Sequence, residues 1–162
     1  MESSAIVDFQ GYQLHNKKFI IKEVCILCFG HISHYVFLPP FEYKYLNDVD
    51  KYQVDWLSKK YHGFDWSSGT YAYEEKENLI QKSLQYATLI YVKGEEKIKW
   101  LREVIQNHQI DIINIEKIID KNFRLRDETD FFVFKCYHHN AYKGVCSSNN
   151  VFKIFQKITS SQ

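Results

Sequence analysis

A chain of 162 residues with 45% hydrophobic residues and a formal net charge of +1 has the size and balance of one folded domain. That composition excludes a disordered chain and builds in no long-range attraction to a nucleic-acid backbone. No apolar run reaches the length of a membrane span, and Met1 to Asp8 lacks the basic and long apolar regions of a secretory signal. The expectation is one intracellular domain over residues 1–162, cytoplasmic or nuclear, with no membrane contact and no nucleotide cofactor. In a reducing compartment its four cysteines are thiols or metal ligands rather than disulfides.

In chain order, Ala5 to Phe9 is a short apolar run closed by Gly11 and predicts a buried strand. Lys18 to Phe29 predicts a longer one, with Phe19, Ile21, Glu23, Cys25 and Leu27 alternating on one face. Ser33 to Leu38 is a third, stopped by Pro39 and Pro40, and the short gaps predict an antiparallel meander. Asn47 or Asp48 caps a helix to about Tyr61 with Val49, Tyr52 and Trp56 on one face. His62 to Tyr71 is a loop, and Tyr73 to Ala87 is a second helix with Leu79, Ile80, Leu84 and Ala87 inward. Thr88 to Val92 is a strand, and Gly94 opens a helix whose stripe is Ile98, Leu101, Val104 and Ile105. Ile110 to Ile115 is the next strand, Lys117 to Arg126 is irregular, and Phe131 to Phe134 is a further apolar run. Ser147 or Ser148 caps a last helix with Val151, Ile154, Phe155 and Ile158 at helical spacing. Three meandering strands followed by parallel strand–helix units define an α/β class with a mixed sheet flanked by helices, the layout of an RNase H-like domain.

The sharpest chemical signal is Cys136 and His139 at a two-residue gap, followed by Cys146 at the start of the last helix. A helix N-terminus favours the thiolate, the form that binds metal. Three N/S ligands so close in sequence suit tetrahedral zinc. Glu23 is the candidate fourth ligand, because a carboxylate among apolar neighbours is costly to bury unless paired or metal-bound. Two alternatives stand beside this set. Glu23 faces solvent, or an all-cysteine site forms from Cys25, Cys28, Cys136 and Cys146; on a strand, however, Cys25 and Cys28 point to opposite faces.

The segment Phe131 to Ile158 resembles the C-terminal part of the Maelstrom domain, a family of the exonuclease branch of the RNase H-like fold. The resemblance implies a zinc-binding Glu-Cys-His-Cys set, mapped onto Glu23, Cys136, His139 and Cys146. It also implies a first strand at Ile6 to Gly11, where such an exonuclease begins. A working member of that branch needs a set of acidic residues for two metal ions. Here Asp8-Phe9-Gln10 offers an amide where the second carboxylate belongs, and neither His138 nor His139 is followed five residues later by Asp. Two-metal exonuclease chemistry is therefore not expected. The family's association with single-stranded RNA and with small-RNA silencing of transposons implies a degenerate nuclease that binds RNA or a protein partner.

Two other readings stay open. A ribonuclease working without the two-metal site would draw on Asp8 and His138, and a pure interaction scaffold would have no nucleic-acid role. Lys121, Phe123, Arg124 and Arg126 form a basic and aromatic cluster suited to phosphate contact and base stacking, or simply a solvated loop. His31, His34 and His62 lie near turns, where surface positions are expected. Lys93 to Lys97 has one glycine and lacks a phosphate-binding loop.

Overall fold

The computed structural model describes residues 3–128, 139 and 145–161. The apolar run Phe131 to Phe134, Cys136 and His138 lie outside the described residues. Strands β1 (Ser4–Gln13), β2 (Phe19–Cys28) and β3 (His31–Val36) form the antiparallel meander. The turn between β2 and β3 is two residues, Phe29 and Gly30, with φ of 53° and 75°. Positive φ at both positions is what a tight hairpin turn matching the strand twist requires. Helix α1 (Asp48–Lys60) and helix α2 (Lys76–Ser83) follow. Then come β4 (Leu89–Val92), α3 (Glu95–Val104), β5 (Asp111–Asn114) and α4 (Ser147–Ser160). The sheet order is β3-β2-β1-β4-β5, with β4 parallel to β1 and β5 parallel to β4. The α/β class with a mixed sheet is as expected.

Both faces of the sheet are covered. Ala5, Val7 and Phe9 of β1 meet Ile80, Leu84, Leu101 and Val104 on one side. Ile6 of β1 and Cys25 of β2 meet Val151, Ile154 and Ile158 of α4 on the other. Tyr12, Leu14 and Ile20 continue that second face into a smaller core with Val54 of α1 and Trp66. A residue such as Ile154 stabilises by roughly 1.5–3 kcal/mol through burial alone, and α4 brings three aliphatic side chains to one stripe.

One residue breaks the alternation expected of β2. Gln10 pairs with Glu23 but Gly11 pairs with Ile21, so Lys22 is an extra residue in a β-bulge. Phe19 and Ile21 therefore face the α2/α3 side, and Glu23 and Cys25 face α4, contrary to a single continuous face. Only glycine fits opposite the bulge, since a Cβ on Gly11 would lie 2.0 Å from the Ile20 carbonyl oxygen.

The helices differ from expectation in two places, and α1 shows which way its apolar stripe faces. The second begins with a 3-10 turn over Tyr73–Glu75 and stops at Ser83, so Ala87 is buried outside it. The last is capped at Cys146, one residue before the expected serines. Helix α1 turns Val49, Tyr52 and Trp56 to solvent and buries Asp50 and Val54. On the inward side Asp50 accepts from the His15 backbone N–H at 2.8 Å and lies 2.7 Å from His15 Nδ1, while Val54 and Leu57 pack with Tyr12, Leu46 and Trp66, and together these set how the helix is rotated. No helix among the described residues is long and apolar enough to cross a membrane.

Candidate metal centre

Because Lys22 bulges, Glu23 points toward α4 and is 0% exposed. A carboxylate there needs every lone pair answered. Oε1 accepts from Gln10 Nε2 at 2.8 Å and from the Ser147 backbone N–H at 2.7 Å, the latter in the first turn of α4. Oε2 faces three groups: His34 Nε2 at 2.7 Å, His139 Nε2 at 3.3 Å and Cys146 Sγ at 3.6 Å. The ligand atoms of Glu23, His139 and Cys146 all lie within 4.8 Å of one another.

Each member is held by something further out. His139 Nδ1 donates to the His62 carbonyl, and its ring lies 3.9 Å centroid to centroid from Phe64, leaving Nε2 aimed at Glu23. Orientation of an imidazole through its other nitrogen is the usual arrangement around a metal-binding histidine. Cys146 Sγ sits 2.9 Å from Ser148 Oγ, a donor to its thiolate form. Gln10 Nε2 also donates to the Val145 carbonyl, tying β1 to the residue before the Cys146 cap.

The charges are coupled accordingly. Burial alone pushes the Glu23 carboxyl up, but the His139 and His34 hydrogen bonds outweigh it and hold the group well below the ordinary carboxylate range. Burial pulls His139 down, yet its hydrogen bonds to Cys146 and Glu23 win and raise it to about 10. His34 is raised by Glu23 against its own desolvation. Burial lowers His62 to about 4, assisted by the neighbouring His139 charge.

Glu23, His139 and Cys146 form a donor set that could hold a metal ion. With bond lengths of about 2.0–2.2 Å to nitrogen and oxygen and about 2.3 Å to sulfur, tetrahedral zinc spaces its ligands roughly 3.3 Å (N···O) and 3.6 Å (O···S) apart. Those are the spacings found for His139 and Cys146 about Glu23 Oε2, 3.3 Å and 3.6 Å. The His34 contact, at 2.7 Å, is shorter and marks a hydrogen bond to the carboxylate rather than a shared ion. Comparison with family models, with curated proteins and with solved structures finds no match for this chain.

Of the four expected ligands, three converge and Cys136 lies outside the described residues. The all-cysteine alternative does not hold, because Cys28 belongs to the core on the opposite side of the sheet from Cys25 and Cys146. Asp8, one of the two catalytic candidates, is 1% exposed and spent: Oδ1 meets Lys97 Nζ at 2.5 Å and Oδ2 accepts from Asn150 Nδ2 at 2.9 Å. The other, His138, lies outside the described residues. Lys121, Arg124 and Arg126 are exposed, but Phe123 is 6% exposed under α4 and its ring is closed to a stacking base. Sequence reasoning missed His34 and His62. His62 is 0% exposed and supplies the carbonyl for His139. The only trace in the sequence was three aromatics at alternate positions, His62, Phe64 and Trp66, in a loop otherwise made of small and polar residues.

Proposed function

We propose that this chain is a degenerate nuclease domain of the RNase H-like kind, held together by a structural zinc ion, that acts by binding single-stranded RNA. The observation that carries the reading is the spacing of His139 Nε2 and Cys146 Sγ about a fully buried Glu23 oxygen, 3.3 Å and 3.6 Å. Cys136 is the proposed fourth ligand. When bound, the ion supplies a cross-link between β2 and α4 whose binding energy adds to folding stability. The strand order supports the fold assignment, since a three-strand meander followed by two parallel strands is the layout expected of such a sheet. The silence of the nuclease position follows from Gln10 and Asp8: the amide donates to Glu23, and the one remaining carboxylate is neutralised by Lys97. Neither side chain has charge left for catalytic cations. Lys121, Arg124 and Arg126 are the proposed phosphate contacts, and a part in small-RNA silencing is the pathway this reading implies.

The first test is elemental analysis of purified protein beside a His139→Ala variant. About one zinc per chain in wild type and little in the variant is expected; a metal-free wild type overturns the reading. RNA binding is then measured against salt. Replacing Arg124 should flatten the salt dependence by about one unit of slope. Binding of RNA that is indifferent to salt removes the proposed interface.

A further inference from the structure

Helix α1 presents to solvent the side chains that a lone helix would bury. Val49, Tyr52 and Trp56 are 67%, 73% and 48% exposed, while Val54 on the opposite face is 1% exposed. Spacings of three and then four residues place the three on one stripe, and one further step reaches Lys59 and Lys60. The stripe is charged oppositely at its two ends. Exposed Asp48 opens the helix and exposed Lys59 and Lys60 close it. The rotation of α1, set by Asp50 with His15 and by the packing of Val54 and Leu57, keeps this stripe outward.

A partner helix lying along the stripe must offer apolar or aromatic groups at its middle, a cation beside Asp48 and an anion beside the lysines. The same helix of a second copy, run antiparallel, offers all three. We propose that α1 is a self-association face on which two copies of this chain pair antiparallel about a twofold axis. Tyr52 of one copy lies against Trp56 of the other, and Asp48 of each lies beside Lys59 of its mate. The helix dipoles oppose one another, which is the favourable sense. A twofold axis makes the surface complementary to itself, and a net charge of +1 leaves little repulsion between copies. Tyrosine and tryptophan are the side chains that most often anchor such contacts. One helix pair buries less than a standard interface of about 1,600 Å², so the dimer dissociates readily on dilution. The proposal does not rest on the zinc reading, since α1 supplies none of the three converging donors.

The test is sedimentation equilibrium of the full chain from about 1 µM to about 1 mM, the range of a small interface. A monomer–dimer equilibrium is expected. Trp56→Lys and, separately, Tyr52→Lys should weaken it at least tenfold with unchanged far-ultraviolet circular dichroism. Asp48→Lys and Lys59→Asp should each weaken it, and the two together should restore it. A monomer throughout the range overturns the proposal. So does a dimer indifferent to both aromatic substitutions, or a charge swap that fails to restore pairing.

Discussion

Glu23 and Asp8 are two carboxylates on the same face of one sheet, on neighbouring strands, each shut from water at 0% and 1% exposure. Their fates differ because of who answers them. Asp8 meets an ammonium, from Lys97, and an amide, so its charge is cancelled locally. Glu23 meets an amide, a backbone N–H, two imidazoles and a thiol. Imidazole and thiol can give up protons to a metal, whereas a lysine paired to a carboxylate has no lone pair to give. Burial alone thus says little about a buried acid; the protonation chemistry of its neighbours decides whether the place holds a cation or is sealed by one.

That contrast is sharpened first by Cys146→Ser, which should abolish stoichiometric zinc and cost at least about 3 kcal/mol of stability. Cys28→Ala on the far face should cost about 1 kcal/mol and leave zinc untouched, and equal losses in thermal unfolding would erase the distinction. Next is Lys97→Met, which leaves Asp8 buried without its ammonium. A loss of about 2 kcal/mol is expected in urea unfolding, discounted for the partial exposure of Lys97, with most of it recovered by adding Asp8→Asn. Third, His34→Ala should weaken zinc about tenfold in a competition titration without abolishing it, since His34 only orients the carboxylate. A total loss would make it a ligand.

A pH-dependent test lies at the bulge. Burial of Lys22 lowers its amine from an ordinary 10.5 to about 7, against the opposing pull of Asp65. Its Nζ donates to the Trp66 carbonyl at 2.7 Å and to the Ser68 carbonyl. A depressed lysine binds protons less in the folded than in the unfolded chain, so stability from this group is present at high pH and is lost as pH falls from 10.5 toward 7. The wild type should gain stability over that window, with a slope of up to about 1.4 kcal/mol per pH unit, relative to Lys22→Met. Parallel stability–pH curves for the two would show that the amine stays charged.

Most strands and the last three elements of the chain were legible because their apolar residues are local and periodic. Glu23 was legible as a misfit, a charge in an apolar strand, and Cys146 as a thiol at a helix start. The bulge was not, because one extra residue leaves no mark in composition yet reverses which face Ile21 occupies. Helix α1 was legible only in part: periodicity finds the stripe of Val49, Tyr52 and Trp56 but cannot say whether it is buried, and Val54 with Asp50 takes the inward side. His34 and His62 were invisible because their roles depend on a carboxylate and a ring brought together by the fold.

Gln10 and His34 answer Glu23 from nearby, but its other partners are far along the chain: Cys146 is 123 residues on and the Ser147 amide 124. At about 5–20 residues per second, a ribosome needs roughly 6–25 s to travel that distance. For that interval the first hairpin can pair its backbone while its acidic face stays wet, because drying it would strand a carboxylate with too few partners. Dry burial of Glu23 therefore needs groups from α4, and the first hairpin gains its full set of partners only after residues 146 and 147 are made.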